Sequence, residues 1–217
     1  LKKKKVDILV NLSASPYTFK KLELRSKVSS FAAQYLQVPL IYVNQIGAND
    51  NLIFDGSSFI LDKNGSKIKQ LKSFSEELSS WEIDQTKPEK NKFENSEMSS
   101  IFDALVLGVK DYAKKCGFKT ALIGLSGGID SALVSAIATA ALGSDNIYCV
   151  SMPSKWSSSH SKSDAKDLAR RLNINFNSIP IENLMTSFEE SFIKTIDFEM
   201  AEITNQNIQS RIRGTLL

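Results

Sequence analysis

At 217 residues, 42% hydrophobic and 24% charged, the chain has enough apolar material for a real core and room for one large domain or two small ones. A formal net charge of +3 is too weak to argue for nucleic-acid binding, and Asp130 interrupts the longest apolar stretch, so no run of about 18 apolar residues offers a membrane span. Two cysteines, Cys116 and Cys149, share no metal-ligand spacing and cannot build a disulfide framework, which with the lack of a signal peptide gives the expectation of a soluble, cytoplasmic protein.

The basic run Lys2–Lys5 reads as a solvated or flexible end. Residues 6–12 (VDILVNL) and 38–44 (VPLIYVN) are apolar and β-branched, predicting two buried strands, with helical spacing from Leu22 to Leu36 between them. SSFIL (57–61) and SKIKQL (66–71) flank Asp62-Lys63-Asn64-Gly65, which predicts a hairpin. Residues 79–97 are polar, aperiodic and carry one proline, the composition of a linker or of an arm draped over a surface. The pattern then resumes with a helix over 101–117 closed by Gly117, strand 121–125, helix 131–142, strand 146–152 and helix 161–172. The first 75 or so residues thus read as an α+β piece ending in a hairpin, whereas the alternating strands and helices after Ser99 predict a parallel sheet with crossover helices, so the chain has two parts.

The stretch GLSGGIDS (124–131) sits where a strand gives way to a helix of small residues. Glycines there let backbone approach an anion, and the unpaired N–H groups of the first helical turn point at it, each charge-assisted hydrogen bond contributing about 1.5–3 kcal/mol. The alternative is a tight structural turn. Asp130 would repel a phosphate unless a cation lay between them, which suggests Mg²⁺; equally, aspartate is a favoured helix N-cap. Neither G-x-x-x-x-G-K-[ST] nor G-x-G-x-x-G is matched.

SGGIDS, set between that strand and that helix, resembles the pyrophosphate loop of the ATP pyrophosphatases. This resemblance implies that Gly124, Leu125, Ser126, Gly127, Gly128, Ile129, Asp130 and Ser131 bind ATP, with Asp130 holding the Mg²⁺. MPSKWSSSHSKSDAKDLARRL (152–172) and NQNIQSRIRGTLL (205–217) resemble the NAD synthetases, which implies deamido-NAD binding by Asn207 and Arg211. The two are four residues apart and share a helix face, whereas Arg213 lies on another; without the family they would read as a solvated helix. Asn205 and Gln206 stand where that family usually has acids.

NLSASPYTFKKLELR (11–25) and VNQIGANDNLIFDGSSFIL (43–61) resemble the nitrilase-type glutaminase domain of glutamine-dependent NAD synthetases. That implies glutamine binding by Ser15 and Lys21, residues that would otherwise read as a turn and a surface charge. The implied fold is the C-terminal part of a nitrilase-like α/β sandwich (1–78), a linker (79–97), and the N-terminal part of a Rossmann-like parallel-sheet ATP pyrophosphatase domain (98–217).

The implied activity is that of a carbon–nitrogen ligase. Deamido-NAD would be amidated to NAD with ammonia from glutamine, through an acyl-adenylate, releasing AMP and pyrophosphate. A homo-oligomeric parent with no nucleic-acid or membrane partner is implied too. Neither cysteine matches the glutaminase nucleophile, and the resemblance covers only the middle of the family protein, so the expectation is an internal fragment, inactive alone. Rival expectations are another ligase of the superfamily, such as a GMP synthetase or a tRNA-thiolating enzyme, or a nucleotide-binding fragment without catalysis.

Overall fold

The computed structural model describes residues 5–83, 96–195 and 202–217. Lys2–Lys4 of the basic run and residues 84–95 of the predicted linker lie outside them. Backbone contacts divide the chain into two compact units, Leu1–Tyr112 and Ala113–Leu217.

In the first unit, strand β1 (Leu9–Ser13) leads through helix α1 (Lys21–Leu36) into a parallel strand β2 (Leu40–Asn44). Helix α1 stops at Gln37, whose left-handed backbone turns its N–H back onto the Ala33 carbonyl, and Pro39 follows where the chain can no longer be helical. A hairpin of β3 (Ile46–Asn49) and β4 (Leu52–Asp55) intervenes before β5 (Phe59–Leu61) and β6 (Lys67–Gln70) add to β2 as an antiparallel extension. The resulting sheet has the order β1-β2-β5-β6.

The β5–β6 hairpin forms where predicted. Asp62 organises it, its Oδ1 accepting from the backbone N–H of Asn64 and Ser66, while Gly65 supplies the positive φ. Ala33 of α1 packs on Leu40, Tyr42, Phe59 and Leu61 to make the core. The prediction that β1 is buried fails. Among the described residues it pairs with β2 alone, and Val10 and Leu12 are exposed. The β3–β4 hairpin is a feature that the apolar pattern did not announce.

Helix α2 (Glu97–Cys116) spans the division between the units. Its Gly108 leaves space filled by Ile53, and Asp111 Oδ2 accepts from the Ala48 N–H at 2.7 Å, so within the first unit it packs on the β3–β4 hairpin. Gly117, at φ 74°, ends it as expected.

The second unit alternates as predicted. Strands β7 (Ala121–Gly124), β8 (Ile147–Ser151) and β9 (Asn175–Ser178) form a parallel sheet in that order. Helix α3 (Ile129–Leu142) joins β7 to β8, and α4 (Ser159–Leu172) joins β8 to β9. Small residues on α3 (Ser135, Ala138, Ala141) are buried, which lets the helix lie close to the sheet. Leu125, Ala138, Ile147, Cys149, Ala165, Ala169 and Ile174 make the core. Helices α5 (Glu182–Thr195) and α6 (Glu202–Leu216) follow, and Met185 and Ile212 from them close a second cluster with Met152 and Ile181. No helix of the described residues is long and apolar enough to cross a membrane.

Candidate functional site

The loop after β7 lies at the C-terminal end of a parallel sheet, where open α/β sheets present ligand crevices. Leu125 anchors it. Its N–H donates to the Val150 carbonyl at 2.9 Å and its side chain goes into the core, so this residue holds the loop to the sheet. Gly127 sits at φ 86°, and a Cβ there would come within 2.2 Å of the Ser161 carbonyl oxygen; at this position the chain requires glycine. Hydroxyls then tie the loop to itself. Ser126 Oγ accepts from Gly128 N–H at 3.2 Å and lies 3.1 Å from Ser131 Oγ, which donates to the Gly128 carbonyl at 2.9 Å.

Helix α3 begins at Ile129, two residues before the predicted start, with Gly128 as its N-cap. Asp130 is therefore inside the first turn and exposed, not the cap, which removes the capping explanation for this carboxylate. The N–H groups of Ile129, Asp130 and Ser131 open the helix and have no partner within it. Among the described residues no three His, Cys, Asp or Glu side chains gather to hold a metal. A carboxylate in the first turn of a helix could hold Mg²⁺, a cation that keeps several waters and takes other ligands from phosphate oxygens.

Beside this loop is a cavity of about 290 Å³, lined among others by Gly124, Leu125, Ser126, Ser161, Lys162 and Arg213. The residues from Gly127 to Ser131 lie outside its lining. Ser158 caps α4, its Oγ accepting from Ser161 N–H at 3.1 Å, which brings that helix start and Lys162 to the cavity.

Asn207 and Arg211 do lie one turn apart on α6, and both are exposed. Arg213 lies on a different face, as expected, and that face is the one turned to the cavity. Its Nε donates to the Met152 carbonyl at 3.1 Å and its Nη2 to Gln209 Oε1 at 3.3 Å, while Gln209 Oε1 also accepts from Ser154 Oγ at 3.1 Å. Burial lowers the Arg213 pKa from its ordinary value. Ile208 and Ile212, four residues apart, tie α6 to the strand end, but neither is at a spacing that shares a face with Arg213, so the apolar pattern did not announce it.

In the first unit, Ser15 is linked to Asp55 through Asn44, and Lys21 lines a cavity that Asp55 also borders. The Ser15 N–H donates to Asn44 Oδ1 at 2.8 Å, and Asn44 Nδ2 returns a bond to the Ser15 carbonyl at 3.1 Å and another to Asp55 Oδ1 at 3.3 Å. Asp55 Oδ2 accepts from Arg25 Nη2 and, at 2.8 Å, from Ser57 Oγ. The Arg25 and Asp55 side chains are only 6% and 3% exposed, so this is a buried ion pair. Arg25 also stands over the Tyr42 ring, its guanidinium carbon 5.9 Å from the centroid, a cation–π contact, and its Nε and Nη1 have no hydrogen-bond partner among the described residues. Asp55 borders a small cavity of about 150 Å³ that Tyr17, Lys21, Ser73 and Phe74 also line. Burial, and secondarily the Asp55 charge, push the Tyr17 phenol up. None of Asn44, Asp55, Ser57 and Ser73 was singled out from the sequence.

The cysteines sit as expected for bystanders. Cys116 is exposed at the end of α2, and Cys149 is buried in β8 beside Ser135, where burial raises its thiol above the ordinary value. A buried thiol held protonated is a small hydrophobe and not a nucleophile.

Residues 101–217 match the model of the NAD synthase family, and residues 1–89 that of the carbon-nitrogen hydrolases. The chain is 44% identical to the glutamine-dependent NAD(+) synthetase of Synechocystis sp. over 98% of its own length and 39% of the relative's. It is 37% identical to that of Rhodobacter capsulatus over 97% of its length and again 39% of the relative's. Its fold superposes with a TM-score of 0.90, at 36% identity, on the glutamine-dependent NAD+ synthetase from Acinetobacter baumannii solved in complex with adenosine diphosphate, covering 99% of this chain and 42% of that one. The chain thus spans about two fifths of the length of these relatives. The similarity bears out the expected mixed fold, hydrolase-like first and parallel-sheet synthase second.

Proposed function

As this chain belongs to the NAD synthase family, with a carbon-nitrogen hydrolase region before the synthase region, we propose that its protein converts deamido-NAD to NAD, using ATP and ammonia drawn from glutamine. The observation that carries this reading is the glycine loop. It closes a parallel strand, opens a helix whose first N–H groups have no partner within that helix, and borders a cavity with Lys162 and Arg213. Support also comes from relatives that are named glutamine-dependent NAD(+) synthetases, one of them solved with ADP, and these disfavour the GMP-synthetase and tRNA-thiolation alternatives.

In this reading the carboxylate of deamido-NAD attacks the α-phosphate of ATP, and ammonia then displaces AMP from the acyl-adenylate. Backbone N–H groups and hydroxyls from Gly124 to Ser131 bind the phosphates and the departing pyrophosphate; catalysis is positional and electrostatic, with no nucleophile from this region. Asp130 would hold Mg²⁺, whose chemistry is to neutralise the phosphate oxygens. Asn207 and Arg211 bind the dinucleotide, and Ser15 and Lys21 the glutamine. The domains are residues 1–78, a linker at 79–97 and 98–217. The enzyme is cytoplasmic and homo-oligomeric, with no nucleic-acid or membrane partner.

The test is calorimetric titration of the chain with ATP in the presence and absence of Mg²⁺. Asp130→Asn is expected to weaken Mg²⁺-dependent binding roughly tenfold, the equivalent of about 1.4 kcal/mol, with helix content unchanged. Equal Mg²⁺-dependent affinity in both proteins would take the metal away from Asp130, and no ATP binding at all by the unaltered chain would sink the reading of the loop.

A further inference from the structure

The β1–β2 ladder runs in register from Leu9↔Leu40 to Ser13↔Asn44 and ends with the Gln45 N–H donating to the Ser13 carbonyl at 3.0 Å. Beyond it the main chain of β1 leaves β2, and Pro16 has no N–H to offer any partner. Tyr17 is fixed again by its N–H on the Ile53 carbonyl. Between those anchors Ser15 is gripped by a side chain instead of a strand: the Asn44 carboxamide accepts from its N–H and donates to its carbonyl, the two bonds that a neighbouring strand would have supplied.

We propose that Asn44 is a positioning residue for the glutamine site, setting the backbone of the Ser15 segment while touching no substrate itself. The proposal rests on the reading of Ser15 as a glutamine-binding residue. The carboxamide must be held for this grip to be exact in direction, and it is. Its Nδ2 also bonds to Asp55 Oδ1. Asp55 is in turn fixed by Arg25 and by Ser57 Oγ, which lies 2.8 Å from Ser73 Oγ. Ser57 reaches Asp55 from a left-handed backbone, φ 51°, immediately after Gly56 at φ 62°. A non-glycine residue in that conformation costs free energy, and the cost persists where surrounding bonds over-determine the geometry. Asp55 also borders the small cavity that Lys21 lines, so one buried carboxylate fixes the amide behind Ser15 and forms a wall beside Lys21.

The experiment uses an enzyme of the relatives' full length that carries these residues, and compares glutamine-driven with ammonia-driven NAD formation. Asn44→Ala, and the near-isosteric Asn44→Asp, which loses the amide donor and sets a second carboxylate against Asp55, are each expected to raise the glutamine KM roughly tenfold. Ammonia-driven turnover is expected to stay unchanged. Ser15→Ala serves as the reference for the underlying reading. If Ser15→Ala raises the glutamine KM and neither Asn44 variant does, the positioning role is wrong and the Ser15 reading stands. If both Asn44 variants lose ammonia- and glutamine-driven turnover in parallel with their melting temperature, Asn44 is a structural residue only and the proposal falls. If Ser15→Ala also leaves the glutamine KM unchanged, the reading of Ser15 fails and takes this role with it.

Discussion

The two candidate sites are built in opposite ways. The glycine loop offers backbone N–H groups and serine hydroxyls from consecutive positions, stays largely exposed, and carries Asp130 as its own charged residue. The Ser15 cluster gathers residues 15, 25, 44, 55, 57 and 73, buries a full ion pair, and satisfies it with side chains. An anion that arrives with its own cation needs a preformed set of dipoles, which one strand–turn–helix provides. A small polar ligand would need a segment held in a particular direction, and the buried network fixes the direction of the Ser15 segment. The difference implies that the first site is vulnerable at its backbone and the second at its charges.

The sharpest break is at Arg25. Removing one partner of a buried pair leaves the other charge uncompensated, at a cost of about 3–5 kcal/mol. Arg25→Leu is therefore expected to lower stability by about that amount in denaturant unfolding, with the double variant Arg25→Leu/Asp55→Leu recovering most of it. Equal losses in the single and double variants would mean that the network stabilises through shape and not through charge.

On the loop side the largest effect belongs to Gly127. Alanine there meets both a positive φ and the Ser161 carbonyl, so Gly127→Ala is expected to cost roughly 2–4 kcal/mol and to abolish ATP binding. Gly128 has an ordinary φ of −85°, and an added Cβ would meet Ser126 Oγ at 3.3 Å, a hydroxyl that can turn aside. Gly128→Ala should cost less than about 1 kcal/mol, and a comparable loss at both glycines would show that the strain is not localised at Gly127.

What could be read in the sequence follows the same division. The loop, its strand and its helix are local, so six consecutive residues and the flanking apolar pattern sufficed to locate them, including the parallel sheet. Even there Asp130 needed the structure, because cap and first-turn aspartates look alike until the helix start is seen. Ser15 and Lys21 were legible only through resemblance, and Asn44, Asp55 and Ser57 not at all, since no period links positions that a sheet and a hairpin bring together. The exposure of β1 was misjudged for a related reason. An apolar β-branched run records what a strand can pack against and says nothing of how many neighbours it has.

Helix α6 supplies the smallest and most discriminating test, because two arginines two residues apart face different ways. Arg213 lines the cavity beside Gly124 and Ser126 and fixes the Met152 carbonyl, whereas Arg211 is exposed with Asn207 one turn before it. In an enzyme of full family length, Arg211→Ala should raise the apparent constant for deamido-NAD roughly tenfold, about 1.4 kcal/mol, with a smaller effect on ATP. Arg213→Ala should do the reverse, weakening ATP by about 1–2 kcal/mol through the lost cation and the loosened Met152 segment. Guanidinium groups on the same ligand would give parallel losses in both constants. A crossed pattern would separate the nucleotide side of the helix from the dinucleotide side, and two variants that shift the same constant by the same factor would show that the facing assigned to α6 is wrong.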